Sequence, residues 1–180
     1  MSINKIENFR YYESVNGIYG VKISNQKLQH LRDLCKKSHP CETGGILIGR
    51  YSEDLKWAEI MAATGAPMDS RQTPYAFIRS IKGIPALLKS AWKKRQYYLG
   101  EWHYHPDASP KPSEIDLKTM YNLSQNEDLN CPEPVLLIIG GRQFDWCQYI
   151  GVYTRNQEIE LHETNIDRDI FAVVNTTIEI

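Results

Sequence analysis

The chain has 180 residues, 42% hydrophobic and 24% charged, with 21 basic against 22 acidic side chains and a formal net charge of −1. These figures suit one soluble globular domain with a real core, and the balanced charge argues against nonspecific binding to nucleic acid or to an anionic membrane. No apolar run is long enough to cross a bilayer, and Met1 to Glu7 lacks the basic-then-apolar plan of a signal peptide, so a cytoplasmic location is the expectation.

Residues 1–17 read as a loosely attached leader with strand character at Tyr11-Tyr12. Ile18 to Ile23 reads as a strand. Ser24 is a good helix N-cap, and Leu28, Leu31, Leu34 and Cys35 recur at helical spacing to about Lys37. Ser38-His39-Pro40-Cys41 ends that helix. In Glu42-Thr43-Gly44-Gly45-Ile46-Leu47-Ile48-Gly49 the apolar run predicts a buried strand, and the paired glycines allow close backbone approach. Trp57 to Ala63 returns after a turn at Ser52-Glu53-Asp54, so residues 43–63 are expected to form a hairpin. A polar, Pro-punctuated loop follows over 64–74, then a short strand at Tyr75 to Ile78. Pro85 to Lys94 reads as a helix with Leu88, Ala91 and Trp92 on one side.

Gln96 to Trp102 is aromatic and strand-like and leads into His103-Tyr104-His105-Pro106. Pro106, Pro110 and Pro112 impose a loop. Ser113-Glu114-Ile115-Asp116 then opens a helix to about Gln125, its acidic first turn suiting the positive end of the helix dipole. After Cys131-Pro132-Glu133-Pro134, the run Val135 to Gly141 is the most apolar strand and is expected mid-sheet. Phe144 to Tyr153 and Glu158 to His162 make two more strands. Residues 165–180 form a C-terminal strand or tail. No repeat or linker divides the chain, which leaves one domain over 18–164.

On a strand, residues two apart share a face, so both imidazoles of His103 and His105 look the same way. The helix opening at Ser113 can bring Asp116 beside them. Two neutral imidazoles and one carboxylate are three of the four ligands that zinc prefers, and a fourth position left to water marks a catalytic site. Each piece alone is weak, because Ser113-x-x-Asp116 also fits an ordinary capping box. Glu101 shares the parity of His103 and is either a partner orienting an imidazole or a rival base. His162-Glu163 lacks the second histidine of H-E-x-x-H, and Pro40-Cys41 lacks the second cysteine of a zinc deaminase. His30 and His39 read as surface or capping residues. Cys35, Cys41, Cys131 and Cys147 form no C-x-x-C pair and read as buried or free thiols.

Taken in order, Glu42, then His103-x-His105, then seven residues, then Ser113-x-x-Asp116 resembles the JAMM motif of the MPN/JAB metalloproteases. Glu42 to Gly49 looks like that family's glutamate strand, and Leu99-Gly100-Glu101-Trp102-His103-Tyr104-His105-Pro106 like its histidine strand in prokaryotic members. The resemblance implies an α/β (α+β), cytidine-deaminase-like fold, with a central mixed sheet flanked by helices. It implies one zinc ion per chain on His103, His105 and Asp116, Glu42 as general base, and Ser113 as the hydroxyl that stabilises the oxyanion. Tyr104 stands where relatives often carry serine or threonine. By parity it points away from the metal, so it bears on packing.

Members of this family typically hydrolyse an amide or isopeptide bond after a ubiquitin-like tail. The stretches Ala66-Pro67-Met68-Asp69-Ser70-Arg71, Tyr98 to His103 and Cys131-Pro132-Glu133-Pro134 resemble one bacterial branch, the isopeptidases of antiviral operons of the CBASS type. That resemblance implies, as substrate, proteins conjugated to the C-terminal tail of a ubiquitin-like or cGAS-like nucleotidyltransferase protein, with the cognate ubiquitin-transfer-like enzyme as a further candidate partner. It implies neither nucleic acid nor membrane. Loops 64–74 and 106–112 are candidate walls for the tail; no individual substrate-binding residue is assigned. The rival readings are a peptidase processing a sulfur-carrier protein, a non-catalytic MPN scaffold, and a RadC-like role near DNA.

Overall fold

The computed structural model describes residues 8–129, 131 and 133–165. In chain order the elements are β1 (Phe9–Glu13), β2 (Gly20–Ser24), α1 (Asn25–Ser38), β3 (Thr43–Tyr51), β4 (Trp57–Ala63), β5 (Arg71–Thr73), β6 (Ala76–Ile78), α2 (Ile84–Trp92), β7 (Tyr97–Pro106), α3 (Glu114–Gln125), β8 (Val135–Arg142), β9 (Asp145–Tyr153), β10 (Glu158–Glu160) and β11 (His162–Thr164). Nine strands form one sheet in the order β10-β9-β8-β7-β3-β4-β2-β1-β11, while β5 and β6 make a separate hairpin. The β7/β8 and β2/β4 pairs are parallel and the others antiparallel, so the sheet is mixed. Together with its helices it forms the α+β fold expected.

The strand expected over Glu158 to His162 is split. Leu161 separates β10, which pairs with β9 at one edge, from β11, which pairs with β1 at the other. The two sheet edges are therefore one residue apart along the chain, and the sheet must curl round on itself. Helix α1 lies inside the curl. Its Leu28, Leu31 and Cys35 join Tyr12, Ile23, Leu137, Ile139, Ile150 and Leu161 in one buried cluster drawn from both ends of the sheet. Ser24 caps that helix by accepting the Lys27 N–H. Period-two alternation sorts β8: Val135, Leu137 and Ile139 face α1, while Leu136 and Ile138 pack outside on Met120 of α3. Each fully buried aliphatic side chain contributes ~1.5–3 kcal/mol.

Three expectations are corrected. Part of the expected leader belongs to the sheet, because β1 pairs with both β2 and β11 and buries Tyr11 and Tyr12. Within the expected loop 64–74, Arg71–Thr73 forms β5. On α2, Ala91 packs against Ile46 and Ile48 with Leu88 beside it, but Trp92 is 69% exposed because the helix ends there and turns it off the sheet. All four cysteines are free, with Cys35 and Cys131 buried. No helix among the described residues is long and apolar enough to cross a membrane. Most of the expected C-terminal strand or tail lies outside the described residues.

Candidate metal centre

Alternation along β7 divides its side chains between two environments. Trp102 and Tyr104 are fully buried in the core around α1, which turns Glu101, His103 and His105 to the opposite face. In the register with β3, His103 stands opposite Gly44. A Cβ at Gly44 would lie 2.4 Å from the Trp102 carbonyl oxygen and 2.8 Å from Phe77 Cε1. Only glycine lets these strands and the β5–β6 hairpin close together over the histidine.

Asp116 arrives from the first turn of α3. Ser113 is the N-cap: its Oγ accepts the Asp116 N–H at 3.2 Å, while Asp116 Oδ2 accepts the Ser113 N–H at 2.8 Å and the Ser113 hydroxyl at 2.6 Å. This capping box fixes the carboxylate. Its Oδ1 stands 2.7 Å from His103 Nδ1 and its Oδ2 3.7 Å from His105 Nε2. Donor atoms of His103, His105 and Asp116 all fall within 4.8 Å of one another, a set that can hold a metal ion. Each imidazole also has a neighbour beyond the cluster. His103 Nε2 is 3.9 Å from Glu101 Oε2, and the Ser109 backbone acts on His105 against the effect of burial. Outer partners of this kind orient ligating histidines.

Glu42 precedes β3 and donates its N–H to the Thr73 carbonyl of the hairpin at 2.8 Å. Burial pushes its carboxyl above the usual range; the charges of His103, lowering, and Asp116, raising, also reach it. Glu42 thus lies on the side of the molecule that carries the cluster.

The electrostatics of the cluster follow from its pairing. Burial works against the charged form of His103, but its hydrogen bond to Asp116 and the nearby Glu101 carboxylate prevail and raise it to about 9. Asp116 is likewise opposed by burial, yet its bonds to His103 and Ser113 bring it down to about 2. His105 is lowered by burial, which favours the neutral, metal-binding form. Two imidazoles and an ionised carboxylate, oriented from behind and turned toward one another, fit a divalent cation.

The structure therefore brings together His103, His105, Asp116 and Ser113, with Glu42 alongside. It also adds residues that the pattern of the chain left unmarked. Phe77 meets the His103 ring edge-on at 5.9 Å. Gln72 donates to Thr43 Oγ1 at 2.6 Å. Arg79 binds Glu101, as does Tyr98, which the sequence marked only as part of the resembling stretch 98–103. The one sequence signal of the others is a place in or beside the short strands 71–73 and 76–78, which is too common to single them out.

The chain is similar to known proteins of one family. The model of the family of prokaryotic homologs of the JAB domain matches residues 24–151. A protein of Enterobacter hormaechei subsp. hoffmannii (strain UCI 50) named CD-NTase/cGAS isopeptidase is 42% identical over 130 residues, covering 72% of this chain and 72% of that protein. A protein of the same name from Pseudomonas aeruginosa (strain BWHPSA011 / Pa011) is 32% identical over 105 residues, 57% of this chain and 64% of that one. Among solved structures, the solution structure of a Desulfitobacterium hafniense protein shares the fold with a TM-score of 0.56 at 20% identity, covering 77% of this chain and 87% of that chain.

Proposed function

This chain belongs to the family of prokaryotic JAB-domain proteins, and we propose that it is a JAMM-type zinc isopeptidase. On this reading it cuts the amide bond that joins the C-terminus of a cGAS-like nucleotidyltransferase to a target protein, in bacterial antiviral defence. The observation that carries the reading is the convergence of His103, His105 and Asp116 within 4.8 Å, with Glu42 within reach of their charges. The substrate class is supported by two similar proteins that carry the name CD-NTase/cGAS isopeptidase.

His103, His105 and Asp116 would hold the zinc. Bound there, zinc supplies Lewis acidity that polarises the scissile carbonyl and makes water acidic enough to ionise near neutral pH. Glu42 takes the proton of the attacking water and delivers it to the leaving amine; its raised pKa suits a group that must both accept and release a proton. Ser113 gives its hydroxyl hydrogen to Asp116 Oδ2. Turned toward the substrate, the same hydroxyl stabilises the oxyanion while its oxygen still accepts the Asp116 N–H. Asp116 then keeps the Ser113 backbone N–H as its anchor. The extended tail lies between the hairpin side of the site and the 106–112 loop, using backbone hydrogen bonds.

The test is purified protein assayed for zinc and for cleavage of two conjugates, one carrying a cGAS-like nucleotidyltransferase tail and one a sulfur-carrier tail. About one zinc per chain and cleavage of the first support the reading. A folded, metal-free, inactive protein would return the chain to a scaffold role. Preference for the second conjugate would make it a sulfur-carrier peptidase.

A further inference from the structure

We propose that Arg79 is a positioning residue of the metal centre, acting through Glu101 on His103. Arg79 directly follows β6, and its guanidinium donates twice to the Glu101 carboxylate, Nη2 to Oε1 at 2.5 Å and Nε to Oε2 at 3.1 Å. The Tyr98 hydroxyl is a third donor, to Oε1 at 2.9 Å. Oε2 of this carboxylate faces His103 Nε2 at 3.9 Å, while Nδ1 of the same ring faces Asp116 at 2.7 Å. The imidazole is bracketed, one nitrogen turned to the ligand cluster and the other to a carboxylate that Arg79 aims. A carboxylate behind a ligating histidine fixes its tautomer and ring orientation and strengthens it as a ligand. The planar guanidinium fork sets the plane of the carboxylate, which an ammonium cannot do.

The same pair fastens the hairpin. Phe77, two residues before Arg79, lies edge-on to His103, and Thr73 in β5 accepts the Glu42 N–H. Arg79 thereby ties the β5–β6 hairpin to the strand that carries the histidines, so hairpin placement and metal geometry share one ion pair. With side chains 19% and 5% exposed, the pair is shielded enough that losing Arg79 alone strands a buried charge.

The inference rests on the proposed zinc site. The test is zinc affinity of the full chain by chelator competition, with the thermal midpoint of the metal-free protein measured in parallel. Three variants are compared with the parent: Arg79→Lys, Arg79→Met, and the double variant Arg79→Met with Glu101→Gln. The double variant leaves no unpaired buried charge, so it keeps the test open where Arg79→Met alone fails to fold. Expected is a zinc Kd about 10–100-fold weaker in the double variant, with a smaller loss for Arg79→Lys, and recovery of kcat at saturating zinc. A double variant that binds zinc as tightly as the parent overturns the proposal and makes the ion pair merely structural. A parent chain that binds no zinc overturns this proposal and the proposed function together.

Discussion

Two glutamates interact with the charge of His103, and the chain treats them in opposite ways. Glu101, behind the ring, is buried and accepts hydrogen bonds from Arg79 and Tyr98. Burial alone would raise its pKa, but the nearby His103 and the hydrogen bonds from Arg79 outweigh that and hold it below the ordinary glutamate value. Glu42, in front, is raised, and burial is the largest cause. A carboxylate fixed in its charged form can orient a neighbour but is a poor proton carrier, whereas one raised toward neutrality can exchange a proton. The contrast favours Glu42 as the base in the proposed reaction, since Glu101 is already engaged by Arg79 and Tyr98.

The most damaging test removes what the two glutamates share. His103→Ala is expected to abolish both zinc binding and cleavage, read by metal analysis and a conjugate-cleavage assay; full zinc occupancy in that variant would break the ligand assignment. Glu42→Gln should keep the metal and the fold but lower kcat by ~10²–10⁴-fold, the range for a lost general acid–base. Normal cleavage by that variant would shift the base to another group and erase the contrast. Ser113→Ala should lower kcat by ~10²–10³-fold, as for a lost oxyanion donor. It should also cost ~0.5–2 kcal/mol of stability as a lost cap. If instead zinc affinity falls and kcat at saturating zinc does not, the hydroxyl serves only to hold Asp116.

What was legible in the chain is what depends on local geometry. Parity alone turns His103 and His105 to one face, and a four-residue capping box alone delivers Asp116, so their convergence follows once strand and helix are read correctly. The hairpin over residues 43–63 and the helix at Ser24 are local in the same sense. Arg79 was not legible because its partner is 22 positions away and belongs to a different sheet. The split at Leu161 was hidden for a related reason. The sequence from Glu158 to His162 reads as one strand, and only closure of the whole sheet sends the residues on either side of Leu161 to opposite edges. Tyr11 and Tyr12 pair locally with Lys22 and Val21 of β2, but their other edge is covered by β11, about 150 residues on, a pairing that no local window contains.

Acidification separates the front of the ring from the back. Glu42 must be ionised to act as base, and its pKa is raised, so kcat/KM should fall as pH drops through a value above the ordinary carboxylate range. Glu101 and Asp116 have lowered pKa values. Their contribution to stability is present above their unfolded-state pKa values, ~3.9 for Asp and ~4.3 for Glu. It is lost only as pH falls through the lower folded values. Activity should therefore disappear at higher pH than structure does, with bound zinc measured at each point. Coincident midpoints by cleavage assay and circular dichroism would show that the two carboxylates are not differently tuned.

The smallest effect is expected on the other face of β7. Tyr104 sits between the two histidines in sequence but donates its hydroxyl to the Gly141 carbonyl at 3.0 Å, inside the core. That carbonyl also accepts the Asp107 N–H at 3.1 Å, so deleting the phenol oxygen leaves no buried acceptor without a partner. Tyr104→Phe should cost about 0.5–1.5 kcal/mol in denaturant unfolding, the net value of one hydrogen bond. Zinc affinity and kcat should be unchanged, since the ring keeps its edge-on packing against Trp146 at 5.8 Å. A marked loss of zinc affinity would mean that the Tyr104 hydroxyl, by fixing the backbone at Gly141 and Asp107, also sets the Ser109 backbone that acts on His105. In that case β7 would tune its two ligands from both faces, not from the Glu101 side alone.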